Sequence, residues 1–471
     1  MKLPIADARD PRDWSDDRHA MAYDNPQFWD GAHLQSELHR VFEICNGCRL
    51  CFNLCPSFDV LFRRIDALDP HREEAEGKHI ESGRIVEEHE AGELLKHVKV
   101  STENPVGLLQ DADTERVVEL CYECKLCFPK CPYVPPHEFA VDFPKLMLRA
   151  KMIGAREDGI AFRERFLGAT DLVGSLMTRV APLANAAAHN SFNRMLMEKT
   201  IGIARERQLP NYADESFLTW WSRRAPVPQN GSQPVALFAT CFVNYNDPAI
   251  GKDAVSMLER AGCNVDCPEQ VCCGMPKLDG GDLEGARKLA RQNVETLLPA
   301  VREGRKIVSP GPSCTLVLRT EYPELVPTPE AREVAAAVMD LSDFLLHQAR
   351  SKRLPKPPEG TLGKVAFHVA CHNRVQNFGY RGRDLLKWAG GDVTLVDRCC
   401  GMDGTWGMKS EFFAESLKVA EGAARKVLAA EPDTVSSDCP LAGLQLRQKT
   451  GRNCYHPVRI LNAAYQGERL E

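Results

Sequence analysis

One twelve-residue cysteine pattern occurs twice near the start of the chain and limits what this region can fold into. Residues 45–56 read CNGCRLCFNLCP, and residues 121–132 read CYECKLCFPKCP. Both fit the spacing C-x2-C-x2-C-x3-C-P, which is typical of [4Fe–4S] ligation. A chain that loops this tightly delivers three thiolates to three corners of one iron–sulfur cube, so the fourth thiolate must come from farther away. The pattern therefore predicts a ferredoxin-like unit with two [4Fe–4S] clusters, and the 65 residues between Cys55 and Cys121 suggest that this unit is helical.

The fourth cysteine of each run is expected to serve the other run's cluster, as it does in two-cluster ferredoxins. The first predicted ligand group is Cys45, Cys48, Cys51 and Cys131. The second predicted ligand group is Cys121, Cys124, Cys127 and Cys55. Neither zinc, which usually binds paired C-x2-C or Cys/His sets, nor disulfides easily explain the same pattern twice. Arg49, Lys125 and Lys130 lie within the runs and are expected either to be ordinary surface cations or to offset cluster charge.

The cysteine content and the charge of the whole chain narrow its class. The 471 residues include 19 cysteines and carry a formal net charge of -6. Disulfides are rare inside cells, so we expect metal ligands or redox groups in a cytoplasmic protein. The charge is too weak to indicate binding of nucleic acid or a polybasic membrane patch. Neither a transmembrane run of apolar residues nor a signal-peptide pattern occurs, so membrane contact is expected to be peripheral at most, on the inner face.

Five segments are predicted along the chain. They are an extended N-terminal arm (1–40), a ferredoxin-like domain (41–150), a helical linker (151–233), a first repeat (234–352) and a second repeat (364–471). The acidic stretch 66–93 is expected to be a solvated loop or surface helix. In the helical linker, an apolar stripe is expected to pack in the core or against a partner rather than on a membrane, with Asp171 capping its helix. The stripe consists of Leu172, Val173, Leu176, Met177, Val180 and Ala181.

The last half of the chain has one strand–helix pattern that occurs twice. After each of the breaker-rich linkers 225–234 and 353–363, an apolar strand ends at a cysteine and a helical stretch follows. A second short strand then ends in Cys-Cys-Gly, a long helix follows, and a third strand leads to a further cysteine. This alternation predicts a parallel sheet, and the matching order predicts an internal duplication. The predicted fold class is therefore α+β overall, with a helical ferredoxin-like domain followed by a duplicated α/β cysteine-rich domain.

Each repeat offers four cysteines at matching positions. They are Cys241, Cys272, Cys273 and Cys314 in the first repeat, and Cys371, Cys399, Cys400 and Cys439 in the second. Adjacent cysteines on a regular strand point to opposite faces, so the chain must turn if both are to bind one metal group. Gly274 and Gly401 supply the backbone freedom that such a turn needs. We predict that these cysteines are metal ligands at the carboxyl ends of the parallel strands.

These motifs together resemble a known family. The repeats are similar to the cysteine-rich CCG domain of heterodisulfide reductases, and the whole arrangement resembles the iron–sulfur subunits of anaerobic glycerol-3-phosphate dehydrogenase and glycolate oxidase. The sequence at 131–151 resembles heterodisulfide-reductase-related iron–sulfur proteins, and the resemblance covers about residues 40–460. It implies electron transfer between a flavoprotein partner and an acceptor such as a quinone or a disulfide. It also implies a rubrerythrin-type protein as a further candidate partner.

One departure from that family concerns the end of each repeat. Heterodisulfide reductase domains end in C-x2-C and give five ligands to a noncubane cluster, whereas this chain reads GPSC at 311–314 and SSDC at 436–439. Four cysteines per repeat suffice for an ordinary cubane, which puts disulfide cleavage at a special cluster in question. We expect one or two further iron–sulfur clusters, or zinc, in the repeats. Asp397 and Asp438 are expected either to accept hydrogen bonds near these sites or to cap a following helix.

Five further residues with metal-binding side chains are expected to have structural roles. Cys263, Cys267 and Cys454 lie outside the matching positions and are expected to be small buried side chains rather than ligands. His368 and His372 are expected to form hydrogen bonds rather than to bind metal or deliver protons.

No flavin or nicotinamide site is recognisable, because no G-x-G-x-x-G follows a strand and opens a helix. A chain with many iron–sulfur ligands and no such site needs a partner for two-electron chemistry. The leading hypothesis is an iron–sulfur electron-transfer subunit of a multi-component oxidoreductase. One alternative is a thiol/disulfide reductase with a catalytic cluster in the repeats. Another is a redox-sensing or zinc-binding scaffold.

Overall fold

The computed structural model of the protein describes residues 23–68, 104–225 and 233–470. The predictions for residues 1–22, for 69–93 of the acidic stretch and for 226–232 of the first linker lie outside the described residues. The described chain combines helices with two four-stranded parallel sheets, which is the mixed architecture expected from the sequence. The segment boundaries at residues 40, 150, 233 and 352 stay predictions.

The ferredoxin-like region is helical. Its helices are α1 (Gly31–Cys48), α2 (Pro56–Leu68), α3 (Asp111–Leu120) and α4 (Phe143–Glu157), with 3-10 turns at Pro26–Trp29 and Pro105–Leu108. The Asp30 side chain accepts a hydrogen bond from the backbone N–H of His33 at 2.9 Å and so begins α1. Residues 31–40 are therefore helical, and the prediction of an extended arm as far as residue 40 is wrong there. Four phenylalanine rings pack between these helices, namely Phe42, Phe58, Phe62 and Phe143.

Five helices connect the ferredoxin-like region to the repeats. They are α5 (Phe162–Gly168), α6 (Thr170–Arg179), α7 (Ala181–His189), α8 (Ser191–Ile201) and α9 (Phe217–Arg223). The apolar stripe on α6 was expected in the core or against a partner, and the core half of that prediction is wrong, because Leu172 is 74% and Leu176 53% exposed. Packing of the stripe against a partner stays a prediction. The opposite face of α6 is the buried one. There Gly174 lies so close to the Tyr245 ring that a Cβ atom on the glycine would come within 2.4 Å of it.

The two repeats have the same sheet. The strands are β1 (Gln233–Leu237), β2 (Cys263–Asp266), β3 (Lys306–Ser309) and β4 (Val338–Asp340), then β5 (Lys364–His368), β6 (Asp392–Val396), β7 (Thr434–Ser437) and β8 (Cys454–Tyr455). The strand orders are β2-β1-β3-β4 and β6-β5-β7-β8, and all pairs are parallel. The sequence predicted three strands in each repeat and missed the fourth. It also placed the end of the second strand too late, because β2 and β6 end before the chain turns toward the paired cysteines.

Helices cover both sheets and bring the repeats together. The first repeat contains α10 (Cys241–Tyr245), α11 (Pro248–Arg260), α12 (Met275–Asp279), α13 (Leu283–Arg302), α14 (Pro312–Leu316), α15 (Tyr322–Leu325), α16 (Pro329–Ala337) and α17 (Leu341–Arg350). The second contains α18 (Cys371–Val375), α19 (Arg381–Trp388), α20 (Ser410–Ala429), α21 (Pro440–Thr450) and α22 (Pro457–Gln466). Phe217, Leu237 and Phe344 share one buried core with Phe367 and Leu461, so the repeats fold against each other. No helix of the described residues is long and apolar enough to span a bilayer.

Candidate metal centres

The first ferredoxin-type group combines cysteines from both runs. Cys45 and Cys48 lie in the last turn of α1, Cys51 follows it, and all three line one cavity with Cys131 of the second run. Burial raises the pKa of the Cys45 thiol well above its usual range, and the neighbouring Cys131 and Cys51 raise it further. Burial likewise raises the pKa of Cys51 to about 11. The structure thus brings together the four residues predicted as the first ligand group; their ligation of a cluster stays a prediction.

The second ferredoxin-type group lies deeper. Burial is the largest cause of a raised pKa at Cys121, Cys124 and Cys127, and the nearby Cys55 contributes at each of them. Cys55 directly precedes α2, and the first N–H groups of this helix, those of Ser57 and Phe58, donate hydrogen bonds to its sulfur. Burial nevertheless raises the pKa of Cys55 to about 12. The crossover that the spacing predicted, Cys55 beside the second run and Cys131 beside the first, is therefore present in the geometry.

Lys125 is buried in the loop of the second group. From the sequence it was expected either to be a surface cation or to offset cluster charge. Its Nζ lies 2.5 Å from the Glu321 carboxylate, and the two side chains are 8% and 4% exposed. Burial lowers the pKa of Lys125, but the carboxylates of Glu321 and Glu123 outweigh it, so the net pKa is raised. Glu123 and Lys125 both have positive φ, 53° and 58°. The loop is thus held in a sparsely populated backbone conformation by ion pairs to other parts of the fold.

The cysteines of the first repeat meet where three strands end. Cys241 begins α10 after β1, Cys314 lies in α14 after β3, and Cys272 is 4.0 Å from Cys241 between the sulfur atoms. Cys273 contacts the thiols of both Cys272 and Cys314. Gly274 has φ 95° and turns the chain at the cysteine pair, as predicted, and its N–H lies 3.5 Å from the Cys272 sulfur.

The second repeat has the same arrangement. The sulfur atoms of Cys371 and Cys399 are 4.0 Å apart, and Gly401, with φ 67°, places its N–H 3.3 Å from Cys399. The pKa of Cys399 is lowered to about 6, first by its hydrogen bond with the Cys371 thiol and further by the Tyr122 hydroxyl. Cys400 lies near both Cys399 and Cys439, which stands at the N-terminus of α21. Each repeat therefore gathers the four cysteines predicted for it.

The helical linker contributes to the first repeat's group, which the sequence did not indicate. The Asp171 carboxylate accepts a hydrogen bond from the backbone N–H of Cys272 at 2.6 Å. The nearby Thr170 hydroxyl contributes to lowering the pKa of Cys272. Burial, followed by the charge of Cys272, raises the pKa of Asp171 to about 6. The prediction that Asp171 caps α6 is wrong, because the residue before this helix is Ala169 and no side chain caps it.

Two side chains connect the second ferredoxin-type group to the repeats. Tyr122, which directly follows Cys121, has its hydroxyl oxygen 3.5 Å from the Cys399 sulfur. The Nε2–H of His372 donates to the backbone oxygen of Glu123 at 3.1 Å, which leaves Nδ1 to accept from the Ser313 hydroxyl at 2.8 Å. Burial lowers the pKa of His372 to about 4, so the ring is neutral at pH 7. His372, which belongs to the second repeat, thus hydrogen-bonds both the ferredoxin-like region and the first repeat. This confirms the hydrogen-bonding role expected for it.

The remaining candidates lie outside the four groups. His368 hydrogen-bonds the Ser437 hydroxyl at 3.1 Å and the Arg398 carbonyl at 3.0 Å, a structural role as predicted. Asp397 forms an ion pair with Lys426 at 2.5 Å, and the Ser342 hydroxyl donates to Asp438 at 3.1 Å. Of the three remaining thiols, Cys263 lies in β2 and Cys454 in β8. The Cys267 thiol donates a hydrogen bond to the backbone oxygen of Leu237 at the end of β1. Asp438 thus joins the repeats, and neither aspartate caps a helix.

The donor sets fit iron–sulfur clusters. Each of the four groups consists of cysteines that are buried or half-buried, and none of the nineteen is in a disulfide. Within residues 23–68, 104–225 and 233–470, no three Cys, His, Asp or Glu side chains converge tightly enough to hold a single metal ion. A cubane binds each thiolate at a different iron, so its ligands surround the cluster rather than converge on one atom.

Comparisons with known proteins agree with this architecture. Residues 38–156 match the "Citrate utilization protein B Fer4-like domain" family, and residues 235–319 and 365–447 each match the CCG "Cysteine-rich domain" family. The chain is 31% identical over 309 residues to a subunit of the anaerobic glycerol-3-phosphate dehydrogenase of Escherichia coli (strain K12), an alignment that covers 64% of this chain and 77% of the relative.

Shorter bacterial relatives match the chain as well. Lactate utilization protein A of Bacillus licheniformis is 31% identical over 241 residues, which cover 49% of this chain and 97% of the relative. The same protein of Bacillus subtilis (strain 168) is 31% identical over 195 residues, which cover 39% of this chain and 78% of the relative. The resemblance to CCG-domain iron–sulfur proteins that the motifs indicated is therefore confirmed.

Proposed function

The chain belongs to the family of CCG-domain iron–sulfur proteins that includes this subunit of anaerobic glycerol-3-phosphate dehydrogenase, and on this premise we propose that it relays electrons within a multi-component oxidoreductase. The proposed donor is a redox protein, with a flavoprotein as the first candidate, and the proposed acceptor is a quinone, a disulfide or another redox group. The name of the Escherichia coli relative, a dehydrogenase subunit, supports a function in a larger assembly.

The proposed cofactors are two [4Fe–4S] clusters in the ferredoxin-like region and one or two further clusters in the repeats. Iron–sulfur clusters, when bound, accept and donate single electrons without forming or breaking bonds in the protein. The chain itself holds the ligands, excludes water and sets the distances. Cys121, Cys124 and Cys127 are buried, whereas Cys48 and Cys51 are half-buried, which supports an inner and an outer ferredoxin-type site.

The observation that carries this proposal is the contact of Tyr122 with the second repeat. Tyr122 is bonded to Cys121 and hydrogen-bonds Cys399, so one side chain spans from the ferredoxin-like region to the Cys399 group. His372 extends the connection, since it follows Cys371 and hydrogen-bonds Ser313, the neighbour of Cys314. These contacts support a route from the ferredoxin-like region into the second repeat and from there to the first.

We further propose a cytoplasmic protein whose contact with a membrane is at most peripheral, on the inner face. Three consecutive helices, α6, α7 and α8, expose large apolar side chains that include Leu172, Leu183 and Phe192. Large apolar side chains exposed on three consecutive helices suit a partner or a lipid surface. Its position beside the first repeat, which α6 contacts through Asp171, would place the end of the electron route near that surface.

A second candidate function, disulfide reduction, has one observation in its favour. Cys399 is half-buried and lines an open surface cleft, so a small disulfide could approach it. The isolated protein would then reduce disulfides with an artificial electron donor, and absence of this activity would exclude the candidate. The redox-sensing or zinc-scaffold alternative predicts near-stoichiometric zinc and no iron beyond the ferredoxin-type sites.

The experiment that tests electron relay uses anaerobically purified protein and EPR of the reduced sample. Cys48→Ser and Cys124→Ser are each expected to remove or alter one cluster signal and to lower electron throughput. Cys263→Ser is the matched control, since this thiol begins β2 outside the four groups, and it should leave the signals unchanged. Tyr122→Phe should retain all clusters and slow transfer to the repeats. Full throughput in both the Cys48 and Cys124 variants would contradict the proposal.

A further inference from the structure

A charged surface cleft lies where the ferredoxin-like region meets the second repeat. Its volume is about 790 Å³, and its wall includes the Cys55 side of α2 and the outer face of α20. Cys55 and Cys399 both line it, and they belong to different cysteine groups. Among the surfaces that the described residues form, this cleft therefore reaches two candidate redox centres at once.

The charge of this cleft opposes that of the whole chain. Its lining carries five cations, Arg63, Arg398, Lys418, Arg425 and Lys426, against two carboxylates, Asp59 and Glu415. The chain as a whole has a formal net charge of -6. The cleft is thus a local positive region on an acidic protein, and such a region attracts and orients negatively charged partners.

All five cations of the cleft are exposed, but Arg63 and Lys426 are each held in an ion pair with a carboxylate. Arg398 and Arg425 are exposed, and neither forms an ion pair with any residue in the described part of the chain. Lys418 lies 3.7 Å from Glu415 but keeps 71% of its side chain exposed. Because such exposed ion pairs contribute little to stability, these charges are available for recognition.

We infer that this cleft, here named the basic cleft, is the docking surface for an acidic redox protein that exchanges electrons with the centres behind Cys55 and Cys399. This inference rests on the proposed electron-transfer function and adds the surface and the chemistry of the partner. In each encounter one electron leaves the reduced chain and reduces the docked protein, or passes the other way. No bond forms or breaks, and the partner is the only other reactant.

A protein fits the basic cleft better than a small anion does. Small-molecule sites bury most of their ligand and orient it with a few enclosed polar groups. In the basic cleft the cations are exposed and lie on both walls, with Arg63 on the α2 side and Lys418 and Arg425 on α20. Charges arranged in this way guide a wide acidic protein surface toward the cleft and allow the partner to bind and dissociate rapidly, as transient redox encounters require.

The two repeats provide a matched pair of variants. The double substitution Lys418→Glu and Arg425→Glu reverses two charges of α20 in the basic cleft. Lys288→Glu and Arg291→Glu make the same change on α13, the corresponding helix of the first repeat, where both side chains are exposed and outside the cleft. All four positions are on helix surfaces, so both variants should fold and bind iron as the unmodified protein does. Lys418→Gln with Arg425→Gln gives a milder, neutral variant.

The probe is flavodoxin, a small acidic flavoprotein, added to the anaerobically purified and dithionite-reduced protein. Its affinity and the rate of flavin reduction are measured at ionic strengths of about 0.01 M and 0.5 M, where charges are weakly and strongly screened. Reversing the charges on α20 should weaken binding and slow transfer by about tenfold or more at low salt and by less than about twofold at high salt. The α13 variant should stay within about twofold of the unmodified protein at both.

Three results would overturn the inference. They are the absence of binding of flavodoxin by the unmodified protein at low salt, equal effects of the α20 and α13 variants, and a loss with the small anion ferricyanide as large as that with flavodoxin. The last result would assign the cleft to small anions. EPR of the same samples separates this failure from that of the proposed function: without a reducible centre the electron-transfer proposal itself fails, whereas intact centres with an unaffected α20 variant refute only the docking surface.

Discussion

Gly401→Ala tests whether the turn at the second cysteine pair shapes the site. Gly401 has φ 67°, and a Cβ atom there would lie 2.5 Å from the Ser416 backbone oxygen and 2.9 Å from the Val419 Cβ. The left-handed backbone costs an alanine about 1–2 kcal/mol. Crowding against the rigid α20 backbone adds about 1–3 kcal/mol. The free energy of unfolding should therefore fall by about 2–5 kcal/mol in total.

Two other glycines calibrate this value. Gly274, with φ 95°, occupies the same turn of the first repeat, but its nearest neighbour would be 3.5 Å from an added Cβ, so Gly274→Ala should cost only the backbone strain of about 1–2 kcal/mol. Gly422 lies inside α20 with nothing closer than 3.9 Å, so Gly422→Ala should stabilise the protein by about 0.5–1 kcal/mol.

Anaerobic differential scanning calorimetry at one scan rate, with iron content measured on the same samples, compares the three variants. In a unit the size of the paired repeats, each kcal/mol changes Tm by about 2–4 °C. Gly401→Ala should therefore lower Tm by about 4–20 °C, more than Gly274→Ala does, and should lose iron from the second repeat. A Gly401→Ala protein with unchanged Tm and unchanged iron would refute the steric reasoning.

Three further predictions follow from buried ion pairs, buried histidines and exposed apolar residues. Lys125→Met leaves Glu321 buried without its partner and should destabilise the protein by about 3–5 kcal/mol, whereas adding Glu321→Gln should restore much of the loss, as thermal unfolding would report. Burial lowers the pKa of His456 to about 4, below its unfolded value of about 6.5, so its contribution is complete above pH 6.5 and is lost as the pH falls toward 4. His456→Gln should therefore flatten the decline of Tm in this range, where the native residue accounts for about 3 kcal/mol, and an equally steep decline would contradict the assignment. Leu172→Asp should weaken co-sedimentation with phosphatidylglycerol vesicles, while Leu428→Asp, at a leucine on α20 that is 48% exposed against 74% for Leu172, should not; equal effects would exclude α6 as the membrane-facing helix.

Local spacing predicted the parts of the fold that depend on short-range geometry. The two cysteine runs indicated that Cys131 and Cys55 exchange places, because three closely spaced thiolates leave one corner to a distant residue. The Cys-Cys-Gly pairs indicated a turn, which Gly274 and Gly401 make with positive φ. The fourth strands escaped prediction because Val338–Asp340 and Cys454–Tyr455 are too short to show an alternating pattern.

Contacts between distant parts of the chain could not be read from the sequence. In the sequence, Lys125 resembles an ordinary surface cation. In the fold its ammonium group is buried and paired with Glu321 of the first repeat. Tyr122 and His372 acquire their roles only when the ferredoxin-like region packs on the second repeat. The core alternative for the apolar stripe around Leu172 was wrong, because the helix buries its glycine face instead and periodicity alone does not say which face is covered.

Iron and acid-labile sulfide, measured on anaerobically purified protein together with zinc, test the central claim that the chain is a multi-cluster electron relay. An electron relay with one or two clusters in the repeats predicts about 12 to 16 irons per chain, four for each occupied cysteine group, with matching sulfide. It also predicts EPR signals of interacting clusters after reduction. About 8 irons with zinc in the repeats would contradict the route through Cys399, and fewer than about 8 irons would contradict the two ferredoxin-type sites themselves.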